Sequence, residues 1–343
     1  MGVSIRLAYL AAVFAIVVWS VTFTNIRALL ADFSSLEILV VRFAMAWAVL
    51  WAWSLLFGGS RGRSPSQIYG SRGRSPSQIY GSRGRLSSRK DELLFVGMGF
   101  TGIAGYQFLE NCAIFYTSAS NIAIFVSFAP IATAVVTWIF VRDKSLTALF
   151  MLGSLVAVGG AALVSLAGVT TLSFNPIGDF MAMGAMLSWG FYSLLMELVN
   201  RRGISPVVAI RKSVFWALVM LAPVAVWGTT ESGLLALGGS FGVNLSLQVN
   251  LSRFSSLMNW VNLVFLGVFA SAVCFVLWNM ACKVLGTVRT SIGLYLTPIV
   301  GVLVAMLFLG ERVSWMEVCG GILILVGVAV ANRGLSSRKV PES

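Results

Sequence analysis

The stretch Asn111-Cys-Ala-Ile-Phe-Tyr-Thr-Ser-Ala-Ser-Asn-Ile-Ala-Ile-Phe-Val-Ser-Phe-Ala-Pro130 has a counterpart 168 residues later, Asn279-Met-Ala-Cys-Lys-Val-Leu-Gly-Thr-Val-Arg-Thr-Ser-Ile-Gly-Leu-Tyr-Leu-Thr-Pro298. The register continues without a gap through Phe140 and Phe308, Asp143-Lys144 and Glu311-Arg312, Gly153 and Gly321, and Gly159 and Gly327. Apolar segments align easily, so matching Val or Leu carries little weight. A shared proline, a shared acid–base pair and two shared glycines in one register identify an internal duplication.

Working outward, the chain has 343 residues, 58% hydrophobic and only 10% charged. A soluble domain carries about 25% charged residues, so the natural solvent of this chain is lipid. A bilayer core needs about 20 apolar residues per helix. Ten spans are predicted at 7–26, 36–57, 93–114, 119–141, 146–167, 176–198, 206–228, 260–282, 288–309 and 314–332. The first is too polar at its end to be a removable signal peptide. Each half of the duplication holds five spans, and an odd number turns the second half over. The expected fold is an all-α membrane protein of ten transmembrane helices in two inverted five-helix repeats.

The first repeat divides into 1–57 with helices 1–2 and 93–170 with helices 3–5. The second divides into 171–228 with helices 6–7 and 260–333 with helices 8–10. Between them lie 58–92, 229–259 and a tail at 334–343. Segment 58–92 holds a perfect tandem repeat, Ser60-Arg-Gly-Arg-Ser-Pro-Ser-Gln-Ile-Tyr-Gly70 and again to Gly81. Its composition predicts a disordered basic cytoplasmic loop, best explained as a slippage duplication in a tolerant place. Segment 229–259 is predicted to be external. With both termini cytoplasmic, 18 of the 24 Lys and Arg fall inside and only Arg27, Arg253 and Arg312 outside, as the positive-inside rule requires. The net charge of +12 therefore belongs to loops beside anionic lipid, and no nucleic-acid partner is expected. Four cysteines lie within spans and read as packing residues. There is no histidine, and no cofactor or metal is expected.

Tyr116-Thr-Ser-Ala-Ser-Asn121 followed by Phe128-Ala-Pro130 resembles the fourth helix of EamA-type transporters of the drug/metabolite transporter superfamily. Leu296-Thr-Pro298, Leu309-Gly-Glu-Arg312 and Gly320-Gly-Ile-Leu-Ile-Leu-Val-Gly327 resemble the matching segment of the second repeat. Trp19-Ser20 with Arg42 on the next helix also fits. The resemblance covers two EamA repeats, and the first copy departs from it at Arg142-Asp143-Lys144. It implies a permease that moves small organic metabolites, amino acids among them, outward across a bacterial inner membrane by alternating access. A multidrug or nucleotide-sugar carrier is the alternative within the superfamily, and a channel or membrane-embedded enzyme the alternative outside it. The expected partners are the bilayer and a small-molecule substrate, with a coupling ion and the oligomeric state left open.

A cavity lined by spans 1, 3, 4, 6, 8 and 9 is expected. Pro130 and Pro298 lack an N–H, so the carbonyls of Val126 and Leu294 should lose their helical donors. A kink lining a cavity and a packing kink both explain them. Ser127 and Tyr295 share the proline faces at helical spacing. Glu110 and Asn111 lie opposite Trp278 and Asn279 in the repeat, and a carboxylate there should face the interior. It either serves a substrate amine or proton transfer, or pairs with a neighbouring polar group. Trp19, Trp189 and Tyr192 are in-span aromatics suited to a cavity wall or to packing. Arg42 and Arg211, with Lys212, either hold a substrate carboxylate or snorkel to the interface, the simpler reading. Asp179 and Glu197 are expected at the interfaces.

Overall fold

The computed structural model describes residues 3–57, 91–117, 119–142, 145–167, 175–227, 251–309 and 312–335. The tandem repeat, Asp143-Lys144, Glu311, most of 229–259 and nearly all of the tail lie outside the described residues. Among the described residues, ten helices are long and apolar enough to cross a membrane. We number them α1 (Ile5–Leu29), α2 (Ser35–Phe57), α3 (Glu92–Met98, Gly99–Gly105 and Tyr106–Tyr116), α4 (Ala119–Val126 and Ala129–Val141) and α5 (Ala148–Leu166) in the first repeat. The second holds α6 (Pro176–Arg201), α7 (Pro206–Trp227), α8 (Leu257–Val264, Phe265–Val273 and Cys274–Leu285), α9 (Thr287–Ile292, Gly293–Leu296 and Thr297–Leu309) and α10 (Trp315–Gly334).

Local chemistry sets the helix starts. Ser4 caps α1, Thr147 caps α5, Asn175 accepts from the Ile177 and Gly178 amides ahead of Pro176, and Ser314 forms a reciprocal capping box with Glu317. Each device satisfies amides that the first helical turn leaves without carbonyls. Leu257 begins α8 three residues earlier than expected, after a short 3-10 turn at Leu251–Ser255.

The duplication extends to irregularities. α3 widens into a π-helix at Gly99–Gly105 and α8 at Phe265–Val273, overlapping at the 168-residue offset. α4 breaks at Ser127-Phe128 and α9 tightens to a 3-10 turn at Gly293–Leu296, each just before its proline. Side chains from neighbouring helices donate to a carbonyl in each of the two π-helical stretches. The Trp19 indole N–H donates to the Ala270 carbonyl at 3.0 Å, and the Ser188 hydroxyl to the Thr101 carbonyl at 2.7 Å.

The two repeats interlock. The extensive helix pairings, α5 with α10, α3 with α6, α1 with α8, α4 with α6, α2 with α8 and α3 with α7, all join one repeat to the other. The equivalent Gly99 and Gly267 show why. A Cβ on Gly99 would lie 2.5 Å from the Ser213 carbonyl of α7, and one on Gly267 would lie 2.8 Å from the Met45 Cβ of α2. α5 and α10 cross through Gly153, Ala157, Gly160, Gly320 and Gly327 at backbone contact. Without water to drive burial, close backbone packing of this kind holds membrane helices together. Large apolar side chains such as Leu56, Phe57, Leu307 and Trp315 cover the outside, where lipid solvates them.

Candidate functional site

Between the repeats lies a cavity of about 100 Å³. Its walls come from α1, α2, α3, α4, α6, α8 and α9, the six expected helices and α2. Three lining pairs are equivalent at the 168-residue offset: Gln107 with Phe275, Val126 with Leu294, and Ala129 with Thr297. Trp19 and Trp189, the aligned aromatics of α1 and α6, form a fourth, with ring centroids 6.1 Å apart and planes at 89°. The site therefore straddles the axis relating the halves.

One wall is polar. Arg42 on α2 is buried; its Nε donates to the Ser271 hydroxyl of α8 at 2.9 Å and its Nη1 to the Gln107 side-chain oxygen at 3.5 Å. The guanidinium also lies 4.9 Å from the Phe43 ring centre. Glu110 on α3 is buried and accepts from the Tyr106 hydroxyl at 2.8 Å. The facing wall is apolar, with Met186, Phe275 and Leu294 beside Trp189.

The cavity thus contains four residues singled out in the sequence: Trp19, Arg42, Glu110 and Trp189. Arg42 is buried against α8, on the Ser271 hydroxyl, and does not extend to the surface of the molecule as a snorkelling side chain would. Other singled-out residues stand behind the wall. Tyr192 packs 5.1 Å behind Trp189 and Trp278 5.2 Å behind Trp19, both fully buried. Asn279 is fully buried. Tyr295 packs with Ala157 and Ile324 on the α5–α10 side. Ser127 donates back to the Ala123 carbonyl at 3.0 Å. Pro130, Pro298 and Arg211 are absent from the lining, and the Asn111 side chain lies outside the described residues.

The displacement from the prolines to their neighbours has a local cause. An α-helical face repeats at three and four residues, whereas a 3-10 turn brings i and i+3 into line. Phe128 N donates to the Phe125 carbonyl at 2.8 Å, and α9 is 3-10 over Gly293–Leu296. The residues turned inward are accordingly Val126 and Ala129, and Leu294 and Thr297, each three apart. The same tightening gives the Leu294 carbonyl the Thr297 amide as donor, so that carbonyl is not left vacant by Pro298. Thr22, Ile26, Tyr106, Gln107 and Met186 also line the cavity. Gln107 and Glu110 lie three apart on one helix face, a signal the sequence already contained.

The lining residues sit toward the end of the molecule carrying the α1–α2 turn. At the opposite end, Thr287 at the start of α9 donates to Glu197 of α6 at 2.6 Å, and Arg201 pairs with the same carboxylate at 2.9 Å. Asp91 there takes Arg202 at 2.6 Å, and Lys212 pairs with Glu92. Arg253, in the 3-10 turn before α8, pairs with Glu37 of α2 at the cavity end, at 2.7 Å. Asp179 accepts from the Thr117 hydroxyl at 2.8 Å.

The sequence profile of the EamA-like transporter family matches residues 6–166 and 176–333. A probable terminal-alkyne amino-acid exporter of Streptantibioticus cattleyicolor is 26% identical, over 70% of this chain and 73% of its own length. The uncharacterized transporter YyaM of Bacillus subtilis is 25% identical, over 71% and 74%. A probable amino-acid metabolite efflux pump of Escherichia coli is 23% identical, over 72% and 78%. A solved crystal structure, 18% identical, superposes with a TM-score of 0.67 over 95% of this chain and 96% of the other, which shows the shared fold. The chain belongs to the EamA-like transporter family.

Proposed function

We propose that this EamA-family chain is a secondary transporter that exports small organic metabolites, such as amino acids, by alternating access across a bacterial inner membrane. Its termini are cytoplasmic in this reading. The observation that carries it is the cavity between inverted repeats, lined by repeat-equivalent residues. Two inverted halves that exchange local conformations present one site first to one side and then to the other. The Thr287–Glu197 and Asp91–Arg202 ties close the end away from the cavity, which suits one half of such a cycle. The names of the relatives from Streptantibioticus cattleyicolor and Escherichia coli support an amino-acid-like cargo. The small volume favours a metabolite over a nucleotide sugar or a large drug.

Counterflow in proteoliposomes tests this. Vesicles loaded with unlabelled amino acid should accumulate labelled amino acid transiently above equilibrium. Flux that neither saturates nor responds to internal substrate would identify a channel instead.

A further inference from the structure

Two opposite charges face the same cavity and do not meet. Arg42 and Glu110 both line it, yet among the described residues no ion pair joins them. The guanidinium is held by neutral acceptors, Ser271 and Gln107, and the carboxylate by a neutral donor, the Tyr106 hydroxyl. The two charges sense one another across the cavity, but neither has the direct ionic contact that offsets the cost of burying a charge. Neutral hydrogen bonds fix the position of each group and leave its charge available.

The duplication sharpens the point, because the second repeat lacks this equipment. At the 168-residue offset Tyr106 becomes Cys274, Gln107 becomes Phe275 and Glu110 becomes Trp278. Arg42 aligns with Arg211 or Lys212, at offsets of 169 and 170; Arg211 is absent from the lining, and Lys212 is paired with Glu92 at the far end of α3. The first repeat lines the site with charge and the second mainly with apolar side chains.

We propose that Arg42 and Glu110 are the specificity residues of this site and read a zwitterion. Arg42 takes the carboxylate of the cargo and Glu110 its ammonium, while the non-polar side chain lies against Phe275, Leu294 and Met186 of the second repeat. This rests on the transporter reading above and adds a binding pose and two requirements: cargo lacking either charge leaves one buried charge uncompensated and is rejected.

The test is equilibrium binding to the purified full chain with three molecules on one skeleton: L-valine, isobutylamine without the carboxylate, and 3-methylbutanoate without the amine. Valine should bind roughly tenfold or more tightly than either analogue, the scale expected of a charge-assisted contact. Arg42→Gln should weaken valine to the wild-type level of isobutylamine, while isobutylamine itself binds the variant no more weakly than the wild type. Glu110→Gln should weaken valine to the wild-type level of 3-methylbutanoate, while 3-methylbutanoate binds the variant no more weakly than the wild type. The wild-type series needs no variant, so it decides the matter even where a variant does not fold. Equal binding of valine and either analogue overturns the proposal, as does failure of valine, leucine and phenylalanine alike to bind. Charge-selective binding without counterflow overturns the carrier reading and leaves this one standing; counterflow without charge selection does the reverse.

Discussion

Trp19 does two things with one side chain. Its ring lines the cavity beside Trp189, and its N–H donates to the carbonyl of Ala270 in the π-helical stretch of α8. Trp19→Phe keeps a wall and removes the donor. Losing a buried hydrogen bond costs about 0.5–1.5 kcal/mol, so thermal unfolding should shift down by about 1–6 °C with cargo affinity little changed. Trp19→Ala should lower both. An unchanged midpoint for Trp19→Phe would show that the carbonyl finds another donor. At this scale the sequence was informative wherever a residue's chemistry was unusual for its surroundings. Glu110 and Arg42 stood out as charges in apolar runs, and Trp19 and Trp189 as aligned aromatics. Arg42 could not be distinguished from a snorkelling arginine, because its partner Ser271 is an ordinary serine on a distant helix. Tyr295 misled because its direction depends on a 3-10 turn that its neighbours' identities do not announce.

At the scale of the element, both broken helices, α4 and α9, line the cavity. Pro298 ends a 3-10 turn in which Leu294 already has a donor. Pro298→Ala restores the missing N–H and permits a continuous α-helix, which should turn Leu294 and Thr297 away from the cavity. Proline costs about 3 kcal/mol more than alanine inside a helix, so thermal stability should hold or rise while counterflow falls by roughly tenfold. Normal counterflow would mean that the break is packing alone. The Thr287–Glu197 tie makes a second prediction. Thr287→Val removes the 2.6 Å donor at the closed end and should raise labelling of a cysteine introduced at Val284, with native cysteines replaced, by a thiol reagent applied from that side. Unaltered labelling would show that the tie does not hold that end shut. The ten spans were legible to within a few residues because lipid thickness dictates their length. The π-helical stretches were not, since they use the same apolar residues as the α-helices around them and take hydrogen bonds from Trp19 and Ser188 on other helices.

For the whole molecule, the duplication and the odd helix count made two inverted repeats legible from sequence alone. Their interlocking was not, because an offset of 168 says which residues are equivalent and nothing about which are neighbours. The proposed orientation is open to single-cysteine labelling at Ser77 and Ser246 after replacement of the native cysteines. An impermeant reagent on intact cells should reach the second and not the first, and labelling at Ser77 would overturn the orientation. Deleting Ser71–Gly81 restores a single copy of the tandem sequence and should leave expression and counterflow near wild type; loss of either would assign that loop a role. The interlocking also sets a problem in time. Arg42 and its partner Ser271 are 229 residues apart, and a ribosome adds about 5–20 residues per second. The second helix therefore waits on the order of 10–50 s, at that elongation rate, for the hydroxyl that receives its guanidinium. An arginine deep in lipid costs about 2.5–3.5 kcal/mol meanwhile. A chain that stops after α5 should leave Arg42 without Ser271 and the faces of α2, α3 and α4 without their second-repeat neighbours.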